Sequence, residues 1–233
     1  MAERKWDQIM AELVAGGTIP DPLNRVLLFG PPRTGKSSIA KTLFKRHERV
    51  TIHKQLPVED LLGSYALVNG TTVWQDGPAI RALREGLPIV LDEIDQISSE
   101  CRCILHALLD DPPGITLASG ERVEGTKGYC VIGTTNQLPS ALPPAVLDRF
   151  DLILTADSLS DGLKKSLGNL AHNADAVVQR GGQYNWTRPA SVNLFIAASK
   201  LRRKGLDDSA IARSLGFEGQ RARDLVISLA RKG

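Results

Sequence analysis

The sequence predicts an α/β fold, in which a parallel sheet is flanked by helices, followed by a small all-α unit. Up to about residue 156, short apolar runs such as VLLF and IVL alternate with helical patterns. Strands that are apolar on both faces are typical of a parallel sheet covered on both sides. From residue 157 onward only helical patterns remain, separated by glycines, and these indicate a small helical bundle.

The elements of the first part are assigned in chain order from apolar periodicity and from glycine and proline stops. Residues 3–15 predict a helix that is closed by Gly16-Gly17. Buried strands are then expected at RVLLFG, RVTIH, LPIVL, YCVIGTTN and DLILT. The intervening helices are expected at SSIAKTLFKRH, GPAIRALREG, ECRCILHALLDD and PPAVLDRF. A hairpin is predicted at ITLASGERVEG, with Gly120 near its turn.

Two further regions complete the assignment. Residues 56–76 hold short apolar pieces broken by Gly63 and Gly70, and they are interpreted as an insertion. The second part predicts four helices, at residues 160–180, 188–204, 206–215 and 219–231.

Charge divides the chain at the same place as the pattern of elements. Residues 157–233 carry 13 Lys/Arg and 7 Asp/Glu, a net charge of +6, whereas residues 1–156 have a net charge of −3. This shift near Asp157 predicts a domain of residues 1–156 and a second domain of residues 157–233.

Composition narrows the class of protein. A hydrophobic content of 42% and a charged content of 24% are ordinary for a globular protein. No apolar run approaches the ~18 residues that span a bilayer, and MAERKWDQIM lacks the apolar core of a signal peptide. Three cysteines give no disulfide framework, and four scattered histidines suggest no zinc site. A cytoplasmic protein without a membrane partner is expected.

The segment GPPRTGKSS follows the first predicted strand and precedes a predicted helix. It fits the pattern G-x-x-x-x-G-K-[ST], in which backbone N–H groups hold phosphate oxygens, the lysine neutralises the β- and γ-phosphates and the hydroxyl reaches Mg²⁺. The alternative is a glycine-rich turn that matches by chance. The predicted site for ATP and Mg²⁺ comprises Gly30, Pro31, Pro32, Arg33, Thr34, Gly35, Lys36, Ser37 and Ser38.

The strand end IVLDEID supplies a second polar group. A lone carboxylate at the end of a buried strand is costly unless it faces a cation, so Asp92 is predicted to hold the magnesium. Glu93 is then placed to orient or deprotonate the attacking water. The alternative is a solvated strand end. Binding alone needs no Glu93, and its presence favours hydrolysis.

These motifs carry a resemblance to a known family. The order GPPRTGKS, DEID, GTTN and LDRFD resembles the AAA+ ATPases, and WQDGPAIRALREGLPIVLDEID resembles the branch with MoxR, McrB and dynein-like modules. The likeness covers residues 25–156 and implies a helical lid for the remainder. Asp95-Gln96 stands where the MoxR branch has Asn-Arg, and Arg33 adds a charge within the loop.

The resemblance implies further site residues. Asn136 resembles sensor 1, which positions the lytic water, or alternatively caps a turn. Arg149 resembles the arginine finger that reaches a neighbouring subunit, or alternatively pairs with Asp148 or Asp151. Arg188 resembles sensor 2, or is simply an exposed lid arginine.

The resemblance also implies partners. A finger that acts in trans implies a homo-oligomeric ring, a hexamer, which remodels a protein client as MoxR-type chaperones do. Tyr65 and Trp74 could grip that client, although Trp74 could equally belong to the core. The alternatives are a DNA-associated motor or loader, since residues 206–231 resemble a helix-turn-helix, and a nucleotide-gated scaffold with little turnover.

Overall fold

The computed structural model describes residues 6–14, 24–32, 34–167, 171, 174, 192–207, 210 and 211. The chain divides into two compact units, one of Met1–Gly30 with Lys36–Thr155 and the other of Pro31–Gly35 with Ala156–Gly233. None of the described helices is long and apolar enough to cross a membrane.

The first unit alternates strands with helices. Its strands are β1 Arg25–Phe29, β2 Glu48–Thr51, β3 Gly63–Val68, β4 Thr71–Asp76, β5 Pro88–Asp92, β6 Gly114–Thr116, β7 Arg122–Glu124, β8 Cys130–Thr135 and β9 Leu152–Thr155. Its α-helices are α1 Trp6–Leu13, α2 Ile39–Leu43, α3 Val58–Leu62, α4 Pro78–Glu85, α5 Ser99–Leu109 and α6 Pro144–Leu147. Single 3-10 turns lie at Lys36–Ser38, Ile94–Gln96 and Pro139–Ala141.

Five of these strands form one parallel sheet in the order β2-β5-β8-β1-β9. Every residue of β5 and β8 is buried, which explains why both sequences are apolar on both faces. This confirms the predicted parallel α/β fold. Because parallel strands end at the same edge of a sheet, β1, β8 and β5 bring three polar segments of distant sequence side by side.

The core of the first unit lies between the sheet and its helices. Helix α4 shows how local sequence defines one layer: Gly77 is its N-cap, Pro78 occupies its first turn and Gly86 ends it in a left-handed conformation. Its buried residues Ile80 and Leu83 pack in the same cluster as the sheet residue Ile89. Full burial of each such side chain contributes about 1.5–3 kcal/mol.

One helix differs from the sequence prediction. The helix expected over SSIAKTLFKRH ends at Leu43, because Phe44 turns to an extended conformation that buries its ring before β2 begins. The insertion at residues 56–76 consists of α3 followed by an antiparallel hairpin, β3 and β4, outside the main sheet. The hairpin predicted at ITLASGERVEG is present as β6 and β7.

In the second unit the structure describes α7 Asp161–Leu167 and α8 Val192–Arg203. These lie within the helices predicted at residues 160–180 and 188–204. Most of residues 206–231, which resemble a helix-turn-helix, fall outside the described residues, and so do Arg33 and Arg188.

Candidate functional site

The phosphate-loop lysine is buried at the carboxyl edge of the sheet. Gly30 directly follows β1, and its N–H donates to the Thr135 carbonyl at 3.3 Å. Lys36 is 5% exposed, and its Nζ donates to the Gly30 carbonyl at 2.8 Å and to Asn136 Oδ1 at 3.1 Å. The structure therefore brings together Lys36 and Asn136, which are 100 residues apart.

Burial lowers the pKa of Lys36 to about 8, and the charge of Asp92 partly opposes this shift. Burial disfavours the charged form of the ammonium. An anionic ligand such as a phosphate would offset that effect, so the site favours one.

The loop residues between Gly30 and Lys36 belong to the second unit. Thr34 is buried, its Oγ1 donates to the Pro31 carbonyl at 3.2 Å, and its own carbonyl accepts from Ser160 N at 2.9 Å. Gly35 has φ +105°, and a Cβ there would overlap Ser160 Oγ. Both facts restrict this position to glycine. The neighbouring Ser37 hydroxyl makes no hydrogen bond to any described residue.

Asp92 ends β5 and is 3% exposed. Thr134 Oγ1 donates to its Oδ1 at 2.9 Å, while Arg49 Nε and Nη2 both lie 2.6 Å from its Oδ2. Arg49 was not predicted from the sequence. It lies in the strand RVTIH on the opposite face from the buried Val50 and Ile52, but only the pairing of β2 with β5 places it beside Asp92.

Arg49→Ala is expected to destabilise the fold by about 1–3 kcal/mol, because it leaves a buried carboxylate without its counter-ion. Urea unfolding followed by circular dichroism measures this. The matched control is Arg46→Ala, which breaks an exposed ion pair with Glu85 and should cost about 0–1 kcal/mol. Equal losses in the two variants would contradict the assigned role of Arg49.

Glu93 follows Asp92 in a left-handed backbone conformation, with φ 59° and ψ 46°. Its N–H donates to Thr134 Oγ1 at 3.3 Å, its side chain is exposed, and the next residue, Ile94, is fully buried. A non-glycine residue in this region costs of order 1–3 kcal/mol and is retained where the surrounding structure requires it. Here the turn buries Ile94 and leaves the Glu93 carboxylate free to meet a ligand.

Asp95 and Gln96, the positions that depart from the MoxR pattern, have a structural role. Thr135 Oγ1 donates to Asp95 Oδ1 at 2.6 Å, and Gln96 Nε2 donates to Asp95 Oδ2 at 2.6 Å. Thr135 Oγ1 also accepts from Gln137 N at 3.0 Å. These bonds tie the turn after β5 to the end of β8 on both sides of Asn136.

Arg149 pairs with neither Asp148 nor Asp151. Its Nε donates to Asp110 Oδ1 at 2.8 Å, and its Nη1 donates to the Ala145 carbonyl at 2.6 Å. Asp151 is instead held by Arg25, with Nη2 to Oδ1 at 2.7 Å. The ion-pair alternative for Arg149 therefore named the wrong acids.

A glycine-rich loop with a buried lysine after β1, an acidic pair after β5 and a polar amide after β8 define a P-loop nucleotide-binding protein. The chain belongs to the AAA domain family, in its dynein-related subfamily, whose model matches residues 25–150. This confirms the resemblance to the AAA+ branch with MoxR and dynein-like modules.

Relatives of this chain include two bacterial proteins. The protein NorQ of Paracoccus denitrificans is 34% identical over 54% of this chain, which spans half of that relative's length. The denitrification regulatory protein NirQ of Pseudomonas aeruginosa is 30% identical over 78% of this chain and 77% of its own. Among solved structures, NtrX of Brucella abortus with ADP has a TM-score of 0.55 at 13% identity, covering 97% of this chain and 60% of that one, which shows likeness of fold.

Proposed function

We propose that this protein is a Mg²⁺-dependent ATPase that assembles into a ring, a hexamer, and remodels a protein partner. The observation that carries the proposal is the convergence of Lys36, Asp92 and Asn136 at one sheet edge, with Glu93 exposed beside them. A site that only bound nucleotide would not need a strained, solvent-facing carboxylate next to Asp92.

The oxygen donors at this edge fit Mg²⁺. The Ser37 hydroxyl and the Asp92 carboxylate are hard ligands, and Mg²⁺ takes one or two protein oxygens together with water and substrate phosphates. Because Arg49 lies 2.6 Å from Asp92 Oδ2 and offsets its charge, Asp92 would hold the ion through a bound water. Ser37 and Asp92 would hold the ion, which would neutralise charge that develops on the phosphates.

The protein residues then have distinct tasks in hydrolysis. Lys36 exchanges its bonds to Gly30 and Asn136 for phosphate oxygens, which releases the Asn136 amide to orient a water. Glu93 takes a proton from that water as its oxygen bonds to the γ-phosphorus and the bond to the β–γ bridging oxygen breaks. The products are ADP and inorganic phosphate.

Arg149 supports the ring. Within the described residues its side chain bonds only Asp110 and Ala145 and no residue of the proposed phosphate site, which favours action on a neighbouring subunit. In a ring it would meet the γ-phosphate of the next subunit. Arg188 remains a proposed sensor 2, on the resemblance alone.

The β3–β4 hairpin is the proposed client contact. Tyr65 and Trp74 form a cross-strand edge-to-face pair with ring centroids 5.2 Å apart, and Trp74 also packs against the core. Leu67, at 75% exposure, lies on the same face as the exposed Tyr65, while Val68 and Val73 are exposed on the other face of the hairpin. Two relatives are named denitrification regulatory proteins, which also favours action on another protein.

ATP turnover measured across protein concentration tests this function. Specific activity should rise with concentration in parallel with assembly on a sizing column, since each complete site needs two chains. Assembly with ATP but without turnover would favour the scaffold alternative. Salt-sensitive duplex binding would favour the DNA-acting one.

Lys36→Ala is expected to weaken nucleotide binding about 100-fold or more while the fold survives, because it removes the charge that meets phosphate. Titration with a fluorescent ADP analogue, with circular dichroism as the check on folding, measures this. Lys45→Ala, at an exposed position nearby, is the control and should bind normally.

The same residue predicts a pH dependence. Phosphate favours the protonated ammonium, whose pKa is about 8 before nucleotide binds. Affinity for ADP should therefore be nearly constant between about pH 7 and pH 8, where the phosphate is ionised, and fall as the pH rises above 8; Lys36→Ala should lack that fall. Unchanged wild-type affinity up to pH 10 would argue against contact between Lys36 and phosphate.

A further inference from the structure

The guanidinium of Arg149 is held on one side and open on the other. Its Nε donates to Asp110 Oδ1 and its Nη1 donates to the Ala145 carbonyl, while its Nη2 has no hydrogen-bond partner among the described residues. The side chain is 32% exposed. An arginine with its stem bonded in this way presents a fixed donor edge to solvent, whereas an unbound arginine samples many rotamers.

The acid that holds Arg149 sits on a firmly anchored helix end. Asp110 is the C-cap residue of α5. The last carbonyls of that helix are satisfied by buried or half-buried side chains, since Tyr129 Oη donates to the Leu108 carbonyl at 3.1 Å and Arg25 Nη1 donates to the Leu109 carbonyl at 3.0 Å. The end of α5 is therefore a fixed point from which Asp110 can orient a partner.

Arg25 anchors the chain segment that follows Arg149. Its Nε and Nη2 hold both oxygens of Asp151, two residues after Arg149, at 2.9 and 2.7 Å. Arg25 begins β1, the strand that leads into the phosphate loop. The segment of residues 149–151 is thus clamped by Asp110 at its start and by Arg25 at its end.

We infer that Asp110 is a positioning residue, which orients Arg149 for the γ-phosphate of a nucleotide in a neighbouring subunit. The inference rests on the proposed role of Arg149 in trans. Asp110 itself touches no nucleotide. Its carboxylate accepts a hydrogen bond from Arg149 Nε, so that Nη2 of Arg149 remains the donor available to the neighbouring subunit. A carboxylate that only formed a surface ion pair would contribute little to the free energy of unfolding.

Asp110→Asn tests this inference. Turnover should fall about 3- to 10-fold with nucleotide affinity and unfolding midpoint unchanged, because orientation is lost while the charge of Arg149 remains. Asp110→Glu should recover part of the rate. The matched control is Asp148→Asn, which changes a carboxylate adjacent to Arg149 that bonds no described residue through its side chain, and it should hydrolyse ATP at the wild-type rate.

Mixed rings show on which side of the interface Asp110 acts. Mixing Asp110→Asn with Glu93→Gln should raise the activity per Asp110→Asn chain, since the second variant supplies a well-oriented Arg149. Mixing Asp110→Asn with Arg149→Ala should give no rise, because neither chain offers an oriented finger. Recovery of Arg149→Ala by Glu93→Gln calibrates the assay.

The outcomes separate the two proposals. Wild-type turnover in Asp110→Asn, with Arg149→Ala impaired, would overturn the positioning role and leave the finger in place. Wild-type turnover in Arg149→Ala would overturn both. A rise in the mixture of Asp110→Asn with Arg149→Ala, or weaker nucleotide binding by Asp110→Asn, would assign Asp110 to its own chain's site and also overturn the inference.

Discussion

Glu93→Gln binds ATP at nearly wild-type affinity and hydrolyses it about 10²- to 10⁴-fold more slowly; this is the expected result for a general base in this position. The amide keeps the size of the side chain and the left-handed backbone but cannot accept the proton of the attacking water. ATP should persist on the protein, and oligomers should accumulate with ATP on a sizing column. Single-turnover hydrolysis of radiolabelled ATP measures the rate.

Two further variants sharpen this prediction. Glu100→Gln removes an exposed carboxylate from the start of α5 and should be silent. Glu93→Gly should be as inactive as Glu93→Gln, yet at least as stable as the wild type, because glycine adopts φ 59° without steric cost. Activity close to wild type in Glu93→Gln would mean that another group activates the water.

Arg149→Ala is expected to bind ATP normally and to lose ~10³-fold or more in turnover, as for other nucleotide hydrolases that lose an arginine finger. The guanidinium would stabilise charge on the transferred phosphoryl of a neighbouring subunit. Its loss should therefore lower the rate of hydrolysis and leave the affinity of the chain's own site unchanged. Steady-state turnover and ADP titration, carried out on the same preparation, separate the two effects.

Subunit mixing is the decisive form of that experiment. Arg149→Ala mixed with Glu93→Gln should recover activity at interfaces that combine an intact Glu93 with an intact Arg149, provided that energy transfer between labelled chains first shows exchange. Arg102→Ala is the control, because Arg102 and Arg149 both lie near the side chain of His106. Burial lowers the pKa of His106, and the positive charges of Arg149 and Arg102 lower it further. Wild-type hydrolysis by Arg149→Ala would remove the main support for a ring mechanism.

The sequence alone determined the features that depend on local order. The phosphate loop, the pair Asp92 and Glu93, and the succession of strands and helices all follow from neighbouring residues, whose periodicity and glycine stops act over a few positions. The predicted length of α2 was wrong, because burial of Phe44 and the start of β2 overrode helix propensity there. The position of Asn136 was predicted by resemblance, and its contact with Lys36 came from the sheet.

Only the tertiary structure decided which distant side chains meet. Arg49 lies 43 residues from Asp92, and Asp110 lies 39 residues from Arg149. Neither pairing has a signature in the sequence, because each depends on the strand order β2-β5-β8-β1-β9 and on where α5 ends. From the sequence alone, a basic residue on a predicted strand or at a helix end has many acidic residues with which it could pair. The packed core selects one of them, since burial of the apolar faces fixes the register of every strand and helix that carries the charges.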